Sequence, residues 1–236
     1  MVLEICASSL QSAINAQIGG AQRIEFCCNL TQGGLTPNAA AIQLARKQLT
    51  IEIFVLIRPR VGDFNYTAVE FEQMKQNILF CKKNGINGVV FGVLNEQQEI
   101  DLIRNQELLD LAHPMQTTFH RAFDCLQNPT EGLEQIITLG FDRILTSGLK
   151  KTAIQGQILL TTLIEQAGNR IKILPGSGLN SNNIEDFIRV TKTKEIHASA
   201  KKVIAPTTES LFSTPYFETE IKEVQQLMAI LQQFSQ

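Results

Sequence analysis

One short segment, residues 117–124, ends a β-prone run with three ionisable side chains. The run finishes at Phe119 and is followed by His120, Arg121 and, three residues later, Asp124. An imidazole can transfer protons near neutral pH, a carboxylate nearby can orient it, and a guanidinium can hold an anion. In barrels and open α/β sheets, reactive groups lie at the carboxyl ends of the strands. The segment therefore predicts a reactive edge.

Other strand-like runs carry or end in polar residues of the same kinds. We take Glu25, His120 and His197 as candidates for proton transfer, with Asp124 as the group that orients His120. The candidates for binding a substrate are Glu4, Arg23, Arg58, Arg60, Arg121, Ser147, Gly176 and Gly178. Among them, Arg58, Arg60 and Gly176 would bind an anionic group.

Charges on the inner faces of these strands need partners, because an unpaired buried charge costs several kcal/mol. We expect Arg23 and Arg58 to balance Glu4 and Glu25. Any single pair could equally be a salt bridge that only ties two strands together. Convergence of the whole set on one edge favours a functional site.

Two cysteines offer a different chemistry. Cys6 and Cys27 end the first two predicted strands on the same inward face. Because neighbouring strands lie about 4.8 Å apart, two thiolates there could hold one soft ion such as Cu(I). The alternative is that both are small packing residues. Cys28 has the opposite parity and should face a helix.

Eight strand-like runs position these residues, at intervals of about 20 to 40 residues, which is typical of repeated βα units. They are Leu3–Cys6, Arg23–Cys27, Glu52–Ile57, Gly88–Phe91, Met115–Phe119, Arg143–Thr146, Ile171–Leu174 and Glu195–Ala198. Between them, helical patterns begin at Ser9, Thr67 and Pro129, and a last helix is predicted over about Glu220 to Phe234.

This alternation predicts a single α/β domain over 1–236 with a (β/α)8 barrel. The competing fold is a doubly wound open sheet, but its glycine-rich turn after the first strand is absent from Cys6-Ala7-Ser8-Ser9. A Thr- and Ser-rich segment near 205–216 is predicted to be a mobile loop.

Composition and charge limit the classes of partner that we expect for this protein. The formal net charge is −2 without a dense Lys/Arg block, which argues against nucleic acid. The longest apolar run is too short to span a bilayer. Five scattered cysteines and no visible signal peptide favour a cytoplasmic protein. Apolar positions around Phe71 and Met74 suggest self-association into a homo-oligomer.

Several segments together match a known family. They are Leu3–Cys6, Gly20–Cys27, Gly33–Pro37, Ile57–Phe64, Gly88–Leu94, Thr118–Asp124, Arg143–Gly148 and His197–Ala200. In this order they resemble the CutC family over about residues 2 to 200. The resemblance implies a cytoplasmic (β/α)8 barrel with a role in copper homeostasis. It also implies that Cys6 and Cys27 are the ligands of a Cu(I) ion. The chain differs from the usual family pattern at Val61, Ser177 and Cys28.

Two functions remain open from the sequence. The first is a copper-binding protein in which Cys6 and Cys27 hold Cu(I). The second is an enzyme acting on a small anionic molecule, a class that includes phosphorylated metabolites. Charged groups such as Arg58 and His120 favour the enzyme, because a two-thiolate site does not need them.

Overall fold

The computed structural model describes residues 1–206, 208, 211 and 213–234. Its strands are β1 (Val2–Ala7), β2 (Arg23–Phe26), β3 (Glu52–Leu56), β4 (Gly88–Phe91), β5 (Gln116–Phe119), β6 (Arg143–Thr146), β7 (Lys172–Pro175), β8 (Glu195–Ala198), β9 (Lys201–Ile204) and β10 (Tyr216–Thr219). Its helices are α1 (Leu10–Ile18), α2 (Ala39–Gln48), α3 (Ala68–Lys83), α4 (Leu102–Ala112), α5 (Pro129–Leu139), α6 (Gln157–Ala167), α7 (Ile184–Thr191) and α8 (Ile221–Gln232).

The first eight strands form one parallel sheet with the order β7-β6-β5-β4-β3-β2-β1-β8. The end strands β7 and β8 lie side by side, so that the sheet curls into a nearly closed barrel. The predicted (β/α)8 fold is confirmed, and each of the eight predicted strands lies within one residue of its observed bounds at either end. The open-sheet alternative is excluded.

Local capping chemistry explains where the helices begin. The Ser9 hydroxyl accepts the Ser12 N–H at the start of α1. Thr67 and Glu70 form a reciprocal capping box at the start of α3. Asn128 caps α5, whose first residue is Pro129.

The apolar core lies between the strands and the helix layer, while the barrel interior holds charged residues. Strand residues that face outward, such as Leu3 and Ile5, are fully buried against helices. The neighbouring inward residue, Glu4, is 1% exposed and bonds to Arg23. Strand parity therefore separates a packing face from a polar face.

One element differs from the prediction. Strands β9 and β10 pair antiparallel, with Lys201 opposite Thr219 and Ile204 opposite Tyr216. The sequence predicted only a mobile loop near 205–216, and several residues of that segment lie outside the described part. The Asn15 amide of α1 donates to the Thr219 carbonyl and anchors the hairpin on the barrel.

The predicted homo-oligomer rested on Phe71 and Met74, and the structure removes that support. Both side chains pack inside the molecule, with exposures of 7% and 0%. In the described residues, we find no helix with the length and apolarity needed to cross a membrane.

Candidate functional site

A cavity of ≈ 860 Å³ opens at the carboxyl ends of the barrel strands. Its wall includes Cys6 from β1, Glu25 from β2, His197 from β8, and Arg58 and His120 from the residues just after β3 and β5. Its size lies within the range of small-molecule sites, about 300–1,000 Å³. Elements from both halves of the barrel therefore converge on one space.

The two strand-end thiols are neighbours, as parity predicted. The Cys6 and Cys27 sulfurs are 3.7 Å apart, and the Cys6 thiol donates to Glu25 Oε2 over 3.2 Å. The hydrogen bond with Cys27, together with burial, raises the pKa of Cys6 well above its ordinary value. Cys6 lines the cavity, whereas Cys27 is 1% exposed beneath the loop at Gly34.

His197 is held between two glutamates. Its Nδ1 lies 2.7 Å from Glu4 Oε1, and its Nε2 lies 3.9 Å from Glu25 Oε2. Although burial opposes a charged imidazole, hydrogen bonds with Cys6 and Glu4 raise the pKa of His197 well above its ordinary value. The ring is therefore an imidazolium at neutral pH.

The two glutamates differ because their partners differ. Burial would raise the pKa of Glu4, but the charge of Arg23 and the hydrogen bond from His197 hold it at about 2. In the described part of the chain, Glu25 has no arginine partner, and burial raises its pKa although the charge of His197 at 3.9 Å opposes the shift. Glu25 is consequently the carboxyl group at this site that more readily carries a proton.

One compact group of donor atoms could hold a metal ion. The ligand atoms of Cys6, Glu25 and His197 lie within 4.8 Å of one another, and all three residues are buried. This group adds a carboxylate and an imidazole to the thiol pair. From the sequence, Cys6 is a candidate for metal binding, whereas Glu25 and His197 are candidates for proton transfer.

His120 differs from its predicted role. Burial first, and then the charge of Arg58, lowers its pKa to about 3, so the ring is neutral at physiological pH. Its Nδ1 accepts the Ala122 N–H over 3.3 Å. Asp124 does not orient this ring, because its carboxylate is used by other donors.

Asp124 instead joins the turn after β5 to the turn after β6. It accepts the Thr146 hydroxyl over 2.5 Å and the Leu149 N–H over 3.1 Å. It also pairs with Arg121, whose Nε lies 2.7 Å from Oδ2. The Arg121 guanidinium donates to the Ser147 hydroxyl as well. These contacts give Asp124 and Ser147 a positioning role in the loops.

The two arginines after β3, Arg58 and Arg60, have different partners and different positions relative to the cavity. The expectation that Arg58 balances a glutamate is wrong, because its Nη1 and Nη2 donate to the carbonyls of Gln32, Gly34 and Gly62. Arg60 lies outside the cavity lining and pairs with Asp63 and Glu70. The shared Arg-x-Arg spacing could not distinguish these roles, because loop conformation decides them.

Three further candidates lie away from the cavity surface. Arg23 is 1% exposed in the barrel interior and pairs with Glu4 and Glu195, each over 2.5 Å. Gly176 packs against Leu145 and His197, where a Cβ would lie 2.7 Å from Leu145 Cδ1. Arg23 begins β2 and Glu4 lies within β1, and neither lines the cavity. Gly178 does line the cavity.

Sequence reasoning missed several lining residues. Phe64 from the loop after β3 and Lys201 at the start of β9 both line the cavity. Phe64 lay within a family-like segment, but nothing in its apolar side chain marked it. Lys201 was missed because the hairpin that begins there was not predicted.

Comparison of the sequence with known proteins identifies a family. A sequence profile described as the CutC family matches residues 1–202. A CutC family protein of Chromobacterium violaceum is 45% identical over 204 residues, covering 86% of this chain and 83% of its own. The human copper homeostasis protein cutC homolog is 42% identical, covering 85% and 73%. The crystal structure of a CutC protein from Streptococcus agalactiae superposes with a TM-score of 0.81 at 30% identity, covering 84% and 98%.

Proposed function

The chain belongs to the CutC family, and we propose that it acts in copper homeostasis by binding Cu(I) through the thiolates of Cys6 and Cys27. The observation that carries this proposal is the 3.7 Å separation of the two sulfurs. Thiolates are soft ligands that select Cu(I).

The surrounding residues fit such an ion. Glu25 lies 3.2 Å from the Cys6 sulfur and can accept the proton that metal binding must displace. His197 belongs to the same group and offers a nitrogen ligand only after its imidazolium loses a proton. Because the pKa of Cys6 is raised, we expect Cu(I) affinity to increase with pH.

Anaerobic competition with a colorimetric Cu(I) chelator tests the proposal. The double variant Cys6→Ser, Cys27→Ser should lose stoichiometric Cu(I), because both sulfurs of the close pair are removed. Cys125, which also lines the cavity, remains but is not part of this pair. Cys28→Ser is the matched control, since Cys28 adjoins Cys27 but its thiol donates to the Thr36 carbonyl. Equal retention of Cu(I) in the double variant and in Cys28→Ser would contradict the proposal.

The cavity favours a second candidate, an enzyme acting on a small anionic metabolite. A buried cation, a neutral imidazole and an acid–base pair surround a space of small-molecule size, and a two-thiolate site requires none of them. In this function Glu25 and His197 exchange protons with the substrate. Positioned acid–base groups contribute about 10²–10⁴-fold to rates.

A screen of carboxylated and phosphorylated metabolites tests this second function. Glu25→Gln should lower any turnover found by at least about 100-fold, while Cys28→Ser should leave it unchanged. Absence of turnover across the screen, or turnover that Glu25→Gln does not change, would sink this candidate and leave the copper proposal standing.

A further inference from the structure

Arg58 is a buried cation that lacks an anionic partner. The residue is 7% exposed, and its guanidinium donates to the carbonyls of Gln32, Gly34 and Gly62. The neutral Tyr66 hydroxyl lies close by, and no ion pair with Arg58 is found among the described residues. The Arg58 Nε is buried without any hydrogen-bond partner. Buried charges are normally paired, and an unpaired donor costs about 1–3 kcal/mol. The guanidinium is therefore fixed in place with one donor unused.

His120 presents a second unused donor on the same cavity wall. The residue is 4% exposed, and its Nε2 is buried without a partner. Because Nδ1 accepts the Ala122 N–H, the proton of the neutral ring resides on Nε2. Gly92 makes room for the ring, since a Cβ there would lie 2.9 Å from Nδ1.

Phe64 connects the two side chains. Its ring centroid lies 4.7 Å from that of His120, and the Arg58 Cζ lies 5.2 Å from the Phe64 centroid. All three residues line the cavity. Arg58 and His120 therefore both lie against the Phe64 ring. They are close enough to each other for the guanidinium charge to lower the pKa of the imidazole.

The carboxylates of the same cavity are already occupied. Asp124 pairs with Arg121 and accepts hydrogen bonds from the turn after β6. Glu25 accepts the Cys6 thiol and faces His197. Glu223 accepts the Ser181 N–H and hydroxyl, and Glu220 lies 3.9 Å from Lys202 Nζ. None of these four lining carboxylates pairs with Arg58, so an anion from outside the chain would supply the charge that Arg58 lacks among the described residues.

We propose that the Nε–H of Arg58 and the Nε2–H of His120 bind oxygens of a small anionic ligand, a carboxylate or a phosphate, once the Phe64 ring moves aside. This subsite uses neither thiol and so goes beyond copper binding. It supplies the anion site that the second candidate function needs, and it requires no turnover.

Histidine-selective ¹⁵N NMR on the full metal-free chain tests the subsite, with inorganic phosphate and oxalate titrated separately at constant ionic strength. At neutral pH, His120 should show the Nε2–H tautomer. At least one of the two ions should shift its Nε2 resonance saturably, and the responding ion identifies the ligand class. His113, an exposed histidine that precedes β5 and lies outside this cavity, is the internal control and should not shift.

Two variants separate specific binding from general electrostatic attraction. Isothermal titration calorimetry with the responding ion gives the affinity of each variant, since His120→Phe has no His120 resonance. His120→Phe should lower the affinity at least 10-fold, because the donor is lost, whereas Lys201→Ala at the cavity rim should change it less than 3-fold. Thermal unfolding checks that both variants are folded. A wild-type His120 resonance unmoved by both ions would overturn the proposal, and so would equal weakening in the two variants. Neither result would bear on Cu(I) binding.

Discussion

Two histidines of the same cavity have opposite protonation states, and their immediate neighbours explain the difference. His197 lies 2.7 Å from the Glu4 carboxylate, and its pKa is raised. The His120 ring is buried and lies near the positive charge of Arg58, and both effects lower its pKa, to about 3. At neutral pH the site therefore offers a cation from one imidazole and a neutral N–H donor from the other.

The lowered pKa of His120 makes folding stability depend on pH. In the unfolded chain the ring gains a proton below about pH 6.5, whereas the folded ring stays neutral until about pH 3. Stability is therefore full above pH 6.5 and is lost as the pH falls below it. The loss between pH 7 and pH 5 should be about 2 kcal/mol from this residue alone.

Urea unfolding of the wild type and of His120→Gln at both pH values measures this term. Contributions from Glu4, Glu25 and His197 are common to the two proteins and cancel in the comparison. The variant should lose about 2 kcal/mol less than the wild type on acidification. Identical losses would show that His120 is protonated in the folded state as easily as in the unfolded chain.

At the residue scale, the alternation of inward and outward side chains along the strands predicted contacts correctly, whereas the spacing of residues in the loops did not. Alternation along β1 and β2 brought Cys6 next to Cys27 and Glu4 next to Arg23. The roles of Arg58 and Asp124 could not be predicted, because both depend on which carbonyls and hydroxyls the loops present. Asp124, three residues beyond Arg121, turns toward that residue and Thr146 rather than toward His120.

At the scale of elements, buried ion pairs tie separate strands together below the cavity. Arg23 of β2 pairs with Glu4 of β1 and Glu195 of β8. Glu195 also accepts Arg143 of β6. This network fixes strands that are distant in sequence, and it places charged groups where an all-apolar barrel would hold branched aliphatic residues.

Arg23→Met should destabilise the protein by about 3–5 kcal/mol, because two buried carboxylates each lose their hydrogen bond with Arg23. Arg170→Met is the matched control. Arg170 makes two close hydrogen bonds with Glu134 at the surface, and solvent screens an exposed pair so that it contributes little to stability. Urea unfolding at neutral pH compares the two. Equal losses would mean that the interior network does not stabilise the barrel.

The starts of several helices could be predicted from capping residues close in sequence, whereas the β9–β10 hairpin could not. Ser9, Thr67 and Pro129 mark helix starts in the sequence, and the structure uses all three. The pairing of β9 with β10 joins residues separated by a segment rich in Thr and Ser, which has no hairpin-turn signature. Lys201 was missed as a cavity residue for the same reason.

At the scale of the whole molecule, the last helix completes the barrel. The family profile matches residues 1–202 and ends before α8, yet Val224, Leu227 and Leu231 of that helix are at most 1% exposed. A Cβ on Gly19, at the end of α1, would lie 2.5 Å from Val224 Cβ, which shows how closely the first and last helices pack.

Deleting residues 221–236 should leave the chain largely unfolded at 25 °C. Burial of three large apolar side chains contributes about 1.5–3 kcal/mol each, and the total approaches the whole stability of a typical domain, about 5–15 kcal/mol. Far-UV circular dichroism and urea unfolding measure the effect. Deletion of residues 235–236 alone is the control and should leave the unfolding midpoint unchanged. A cooperative transition of wild-type midpoint in the longer deletion would show that the barrel folds without α8, and that the family-matched segment is sufficient for the fold.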